Sequence, residues 1–365
     1  MLFRRPAILM TTLVGSALLL GLTLGACSES STEKESTSSS STSSSPSGAG
    51  ATATEVRLGY FPNVTHAPAL VGLAEGTFKK HLGDTKLVTS TFNAGPEATE
   101  ALFAEALDIT YIGPNPSINA FAQSNGEAVR IVSGSTSGGA FFVVQPEINS
   151  PNDLKGKKVA SPQLGGTQDV ALRVWLKDQG LETTTAGGGE VSITPLANAD
   201  TLTAFRDGQI AGAWVPEPWA TRLIAEAGGK VLVNEADLWP DGQYVTTQVL
   251  VRTEFLDKYP GTVQAILQGH LDALAFVESD PAKAQTDTND QIEAITQKRL
   301  PESVIAAAWK NLTFTADPIA TSLKKSAEDA ESVDLLEPVN LRGIYSLEIL
   351  NSLLTGQNKT GVDGL

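Results

Sequence analysis

The sequence predicts an α/β protein built as two lobes around a cleft, on three observations. Short β-branched runs alternate with helical patterns along most of the chain. The rhythm of strand, loop and helix restarts midway, at "EINSPNDLKGKKVASPQLGG". Several strands also end in loops of Asn, Ser, Thr, Gly and Pro that open a helix. Open parallel sheets bind ligands beyond the carboxyl ends of their strands. Two such edges facing each other form a cleft that hinge motion can close.

The first 54 residues belong to neither lobe. Arg4 and Arg5 precede an apolar stretch from Ala7 to Leu24, and Leu24-Gly25-Ala26-Cys27 matches a lipobox. Residues 1–27 therefore read as a signal segment with lipidation at Cys27, not as a spanning helix of the mature protein. Cys27 is the only cysteine, so there is no intramolecular disulfide and no Cys-rich zinc site. Once it carries lipid, thiol catalysis is excluded as well. Residues 28–54 are nearly all Ser, Thr, Glu, Gly and Ala, and read as a disordered tether. The expected location is the extracytoplasmic side of the cell membrane, held there by the lipid.

The chain carries 26 basic and 41 acidic side chains, a net charge of −15. The first 54 residues hold three of each sign, so the whole excess belongs to the body. Such a surface repels phosphate backbones and argues against nucleic acid. It leaves a small anionic ligand open, because local dipoles decide a pocket.

In order along the body, the pattern predicts strands at 56–60, 85–92 and 108–112, separated by helices at 68–81 and 96–106. A helix at 116–124 and strands at 129–135 and 140–145 follow. After the restart come a short helix at 151–154, a strand at 158–160 and a helix at 167–179. Strands at 191–195, 212–215 and 230–233 then alternate with helices at 200–207 and 218–227. The run "VTTQVLVRTEFL" is β-branched, and everything beyond it reads as helical: 259–278, 281–296, 301–310 and 319–326. Lobe I is expected to comprise 55–143 and 249–365, and lobe II 144–248.

Four loops are equipped for the cleft. "GYFPNVTHAP" offers Tyr60 and Phe61 for stacking, with Asn63, Thr65 and His66 as polar groups. In "IGPNPSIN", Asn115 can cap, Pro116 fits the first helical position, and Ser117 and Asn119 add donors. "SGSTSGGA" contributes Ser135, Thr136 and Ser137. In "SPQLGGTQD", Gly165 and Gly166 allow close approach while Thr167 and Gln168 open a helix. The shared physics is anion capture without a formal counter-charge. First-turn N–H groups have no intrahelical partner and together carry about half a positive charge. No Lys or Arg lies in these loops, and ordinary helix capping is the competing reading. A fifth element, "AWVPEPWATR", could add Trp214 and Trp219 as an apolar wall. Its Glu217 either meets a cationic group of the ligand or points away and braces the other lobe.

Catalytic motifs are missing: there is no Gly-x-Ser-x-Gly, no P-loop and no Gly-x-Gly-x-x-Gly at a strand end. His66, His81 and His270 are in no metal-ligand spacing. No metal, no cofactor and no catalytic residue is expected.

At this point "VRLGYFPNVTHAPALVGLAEGTFKK", "GPNPSINAFAQ", "GSTSGGAFFVV", "DLKGKKVASPQLGGTQD" and "AWVPEPWA" together resemble solute-binding proteins of nitrate, sulfonate and taurine-type ABC importers, in the THI5/NMT1-like superfamily. The resemblance runs from about Glu55 to Asn351. It implies a type II periplasmic-binding fold, no catalysis, and delivery of ligand to a membrane permease driven by an ATPase; the lipidated protein is expected to be a monomer. Carried over by position, it implies ligand contacts from Asn63, Thr65, His66, Asn115, Pro116, Ser117, Ser135, Thr136, Ser137, Gly166, Thr167 and Gln168. Trp214, Glu217 and Trp219 extend that set. Many relatives place an aspartate where Gly212-Ala213 stands here. An aliphatic sulfonate is the expected ligand. A thiamine-precursor pyrimidine, nitrate, bicarbonate or taurine are the alternatives, and a THI5-like enzyme is the reading from a different class.

Overall fold

The structure, a computed structural model, describes residues 50–365. The signal segment, Cys27 and the tether as far as residue 49 lie outside the described residues. Residues 50–54, expected to belong to the tether, are instead docked on the body. The Ala53 N–H donates to Thr262 Oγ1 at 2.8 Å, and the Gly261 and Lys86 N–H groups donate to the Ala51 and Thr54 carbonyls.

The chain first lays down β1 (Glu55–Tyr60), α1 (Ala67–Ala74), α2 (Thr77–Leu82), β2 (Lys86–Thr91), α3 (Gly95–Phe103), β3 (Ile109–Ile112), α4 (Pro114–Gln123) and β4 (Val129–Gly138). The second lobe holds β5 (Ala140–Val144), β6 (Lys158–Ser161), α5 (Thr167–Asp178), β7 (Ser192–Pro195), α6 (Asn198–Arg206), β8 (Gly212–Pro216), α7 (Trp219–Ala227) and β9 (Lys230–Asn234). The chain then returns through β10 (Val245–Arg252), α8 (Thr253–Lys258), α9 (Pro260–Ser279), α10 (Pro281–Thr296), α11 (Glu302–Trp309), β11 (Leu312–Phe314), α12 (Ala320–Ser332) and α13 (Glu348–Gly356). The helix expected over 68–81 is two helices, because Gly76 between them adopts a φ of +68°. Both β11 and α13 fall in the tail that read as helices ending at 326.

Six strands form the first sheet, in the order β11-β4-β10-β3-β1-β2, and five form the second, in the order β7-β6-β8-β5-β9. The sheets are mixed, whereas the alternating pattern predicts parallel ones. β1 is parallel to β2 and β3, and β6 to β7 and β8. β10 runs antiparallel to β3 and β4, and β5 to β8 and β9. The reversed strands are the ones that carry the chain between lobes. They enter a sheet directly, without the crossover helix that makes neighbours parallel.

β4 passes into β5 through Gly138 and Gly139, with φ of +82° and +75°. A side chain at Gly139 would also collide with Leu312 Cδ2 at 2.1 Å. β5 pairs in the second sheet and β10 in the first, so 140–143 and 245–248 each lie across the boundary from their expected lobe. A fully buried β-branched run reads the same in either sheet. Each sheet is covered on both faces: Leu58, Tyr111 and Val249 pack on one side of the first, and Ile112, Ile131 and Leu250 on the other. Phe142 and Trp214 divide from Phe141 and Val215 in the same way in the second. This is the two-lobed α/β architecture with a cleft. Among the described residues, no helix is long and apolar enough to cross a membrane.

Candidate functional site

The carboxyl ends of the parallel strands converge on a small cavity between the lobes. From the first lobe come Phe61, Asn63, Thr65 and His66 after β1, Asn93 to Gly95 after β2, and Gly113 and Pro116 after β3. Thr246 and Thr247 of β10 complete that side. The second lobe supplies Pro162 and Gly166 to Gln168 after β6, Asn198 after β7 and Pro216 at the end of β8. None of these side chains carries a formal charge at neutral pH.

Electrostatics comes instead from helix ends. α3, α4, α5 and α6 all begin at the cavity, at Gly95, Pro114, Thr167 and Asn198. None of the four has a side-chain cap, so side-chain capping, the competing reading of these loops, does not describe them. Their first turns border the same void, where a helix N-terminus carries partial positive charge. Pro96 of α3 and Pro114 and Pro116 of α4 have no N–H to offer. About 40 Å³ of the void is open to the centres of water-sized spheres. Since one water needs about 10–15 Å³ on that scale, the space holds a few non-hydrogen atoms. Two polar atoms on its wall, Asn198 Oδ1 and Thr247 Oγ1, are buried without a hydrogen-bond partner. Asn198 is 7% exposed and Thr247 1%.

The lobes meet tightly here. A Cβ at Gly113 would lie 2.4 Å from Thr167 Oγ1, so a side chain there would force the Thr167 hydroxyl to turn away. Asn119 Nδ2 donates to the Gly165 carbonyl at 3.4 Å, and Trp219 Nε1 donates to Asn63 Oδ1 at 2.8 Å. The Thr167 loop is held from below by Asp169. Its carboxylate accepts from Ser161 Oγ at 2.7 Å, the Gly165 N–H at 3.1 Å and Arg173 Nε at 2.9 Å.

His66 lies against Phe61, with ring centroids 4.4 Å apart. Its Nδ1 accepts the Phe61 N–H at 3.3 Å, which leaves the ring proton on Nε2. Burial pushes its pKa down to about 3. The imidazole is therefore a neutral N–H donor at physiological pH.

Seven of the fifteen expected ligand contacts line the cavity: Asn63, Thr65, His66, Pro116, Gly166, Thr167 and Gln168. The others are placed elsewhere. Asn115 Nδ2 donates to the Ser326 carbonyl and Ser117 Oγ to the Gly113 carbonyl. Asn115 is also not the cap expected of it, since Gly113 is the N-cap and Pro114 starts the helix. Ser135 lies on β4 outside the cavity lining. Thr136 Oγ1 donates to the Thr65 carbonyl at 2.7 Å, and Ser137 Oγ accepts the Tyr244 N–H at 3.3 Å. Trp214 is fully buried in the second lobe, stacked on Phe142 and donating to Glu235 Oε2 at 2.6 Å. Glu217, 1% exposed, accepts from Thr221 and from Asn311 Nδ2 of the other lobe. Trp219 lines an adjoining chamber.

Asn93, Asn198, Thr246 and Thr247 line the cavity without having been singled out from sequence. Asn198 had a usable signal, since it follows a short strand and opens a helix as the four chosen loops do. Among the described residues there is no group of three or more His, Cys, Asp or Glu that could hold a metal.

Comparison with known proteins bears on the family and the fold. The chain is 30% identical over 207 residues to the taurine-binding periplasmic protein of Escherichia coli (strain K12), a match covering 56% of this chain and 62% of that one. It thus spans less than two thirds of that relative's length. Among solved structures, the alkanesulfonate-binding protein SsuA from Xanthomonas axonopodis pv. citri, bound to MOPS, superimposes with a TM-score of 0.66 at 20% identity. That superposition covers 79% of this chain and 96% of the other. The periplasmic nitrate-binding protein NrtA from Synechocystis PCC 6803 gives 0.70 at 14% identity, over 83% and 89%. These likenesses show the periplasmic-binding fold. The NMT1-like family matches residues 49–289, well over half the sequence, and the chain belongs to that family.

Proposed function

We propose that the protein is the extracytoplasmic substrate-binding component of an ABC importer, anchored by lipid on Cys27, and that its ligand is a small organic anion, an aliphatic sulfonate. One observation carries the reading: four helix N-termini without side-chain caps meet at an uncharged cavity between two lobes. The chemistry suits a sulfonate, which stays singly negative at any physiological pH and needs only donors around it. Helix-end N–H groups, the neutral His66 Nε2–H and the hydroxyls of Thr167 and Thr247 supply them. Because no lysine or arginine lines the cavity, the anion is held by dipoles and is free to leave when the lobes part for the permease. Binding contributes closure energy only through contacts that exist in the closed form, and the Gly113–Thr167 approach is such a contact.

The pyrimidine alternative fares worse, because the inner cavity is lined by helix starts suited to an anion, whereas a neutral ring would leave them unused. The enzyme alternative needs a base, and a histidine with a pKa near 3 is a poor one at neutral pH. The relatives that bind taurine, alkanesulfonate and nitrate support an oxyanion and leave its substituent open.

Thermal denaturation of the compact unit Gly48–Leu365 with ethanesulfonate, taurine, nitrate, bicarbonate and a hydroxymethylpyrimidine is the direct test. A true ligand at a hundredfold excess over its Kd stabilises by about 2.7 kcal/mol. A shift with ethanesulfonate or taurine is expected. No shift with either sulfonate, together with a clear one with nitrate, bicarbonate or the pyrimidine, would end the sulfonate assignment.

A further inference from the structure

Next to the inner cavity lies a larger chamber of about 350 Å³, also between the lobes. The two spaces share Asn63, Asn93 and Asn198 on their walls. The chamber's character is different. Phe92, Leu202, Trp219, Ile292 and Leu300 give it an apolar lining, and Arg206, Arg222 and Lys298 stand on the same wall with no acidic residue among the lining groups. In a chain of net charge −15, that concentration of cations runs against the background.

Among the described residues, Glu226 is the one carboxylate that meets these cations, and it meets all three. Arg222 holds it tightly, with Nε at 2.6 Å and Nη2 at 3.2 Å, while stacking over the Trp219 ring at 4.5 Å. Arg206 and Lys298 reach it only at 3.6 and 3.8 Å, beyond the roughly 2.7–2.9 Å of a close charge-assisted bond. One carboxylate therefore serves three cations, and two of them are loosely engaged. Arg206 comes from the second lobe and Lys298 from the first.

We propose that this chamber is a second anion subsite, which takes the acidic far end of an elongated organosulfonate whose sulfonate head occupies the inner cavity. The inference rests on the sulfonate reading above. The apolar lining accommodates the carbon chain between the two acidic groups. The far acid pairs with Arg206 and Lys298 and leaves the Arg222–Glu226 pair intact. A ligand of this shape is gripped at both ends and by both lobes.

Calorimetric titration of two series of sulfonates of increasing chain length tests this, one series ending in a methyl group and the other in a carboxylate. At one or more lengths the carboxylate is expected to raise affinity about tenfold over its methyl-ended partner, with the gain shrinking as salt is added. In the double variant Arg206→Gln, Lys298→Gln the ratio is expected to collapse towards one. Both side chains are about half exposed or more, at 49% and 59%, so folding is not at stake. A carboxylate that gives no gain at any length, or a gain that survives in the double variant, overturns the second subsite while leaving the sulfonate reading standing. No binding by any member of either series overturns both.

Discussion

Two buried polar regions lie between the lobes, the inner cavity and the hinge where β4 passes into β5. Both are rich in Thr, Ser and Asn, yet they are arranged in opposite ways. At the hinge the groups are spent on each other. Thr136 holds the Thr65 carbonyl, Thr246 Oγ1 donates to the Gly138 carbonyl at 2.6 Å, and Tyr244 OH accepts the Ala140 N–H at 3.2 Å. Trp214 donates to Glu235, and the exceptions near the hinge are Ser135 Oγ and both amide atoms of Gln248, which pairs with Gly134 on β4. At the cavity, Asn198 Oδ1 and Thr247 Oγ1 are buried without a partner on residues that line the void, and four helices begin at its edge. A buried polar group without a partner costs about 1–3 kcal/mol. A satisfied set fixes geometry, and an unsatisfied one beside a void is what the proposed ligand would meet.

The largest effect that would sharpen this contrast is at Asp169, beneath the cavity. Its carboxylate is fully buried and pairs with Arg173, which is 2% exposed. Asp169→Ala leaves that guanidinium buried and uncompensated and releases the Gly165 N–H. Urea denaturation is expected to show a loss of about 3–5 kcal/mol, together with weaker ligand binding. A loss under about 1 kcal/mol would show that the Thr167 loop does not depend on this brace.

The hinge has its own titratable group. Burial drives Glu235 up to about 7, against the indole donors of Trp214 and Trp239, with Asp329 and Lys325 of α12 acting in opposite directions. A carboxyl raised from about 4.5 binds its proton more tightly folded than unfolded. Its contribution is therefore fully present below pH 4.5 and is lost as pH rises to about 7. Converted by linkage, that loss is about 3 kcal/mol. Glu235→Gln keeps the acceptor for Trp214 and does not titrate, so it is expected to be more stable than the parent at pH 8 and to lose the decline between pH 5 and 7. The buried His66 and His270, lowered to about 3 and 4, act on the acid side. Their contribution is present above the ordinary histidine value near 6.5 and is lost as pH falls towards 4. The variant should leave that acid limb in place, with any remaining decline at higher pH coming from Glu217 and Asp329, which burial also raises. An unchanged pH profile in Glu235→Gln would place the hinge's pH sensitivity elsewhere.

Cavity variants should behave in the reverse manner. Asn198→Ala and Thr247→Val remove atoms that satisfy nothing in the free protein. Stability is expected to stay within about 0.5 kcal/mol or to rise, while binding of the cognate anion weakens by about 1–3 kcal/mol. Calorimetry on each variant reads both. Unchanged affinity in both would mean that the void is not where the ligand sits.

The fold was legible because alternation of strand and helix survives in composition, and so was the gathering of strand-end loops around one cavity. His66, Thr167 and Gln168 could be chosen because they stand directly between a strand and a helix. What failed was the distinction between the two regions above. "SGSTSGGA" looks more like an anion loop than "PLANAD" does, yet Thr136 spends its hydroxyl on the backbone while Asn198 keeps an atom free. Which polar group is left over depends on long-range partners, such as Ser326 for Asn115 and Asn311 for Glu217. Spacing along the chain does not encode them. Trp214 misled for a related reason, since an indole beside a cleft motif can equally face the core.

The smallest expected effect is also the cleanest probe of the contrast. Thr136→Val keeps the β-branched shape on β4 and deletes one donor, the bond to the Thr65 carbonyl. Thr65 lines the cavity, so this hydroxyl is one bond removed from the site. If the hinge region only fixes geometry, the variant loses about 1 kcal/mol of stability and its affinity changes less than threefold. If affinity instead falls tenfold with stability intact, Thr136 belongs functionally with Asn198 and Thr247, and the boundary between satisfied and unsatisfied groups does not mark the edge of the binding site.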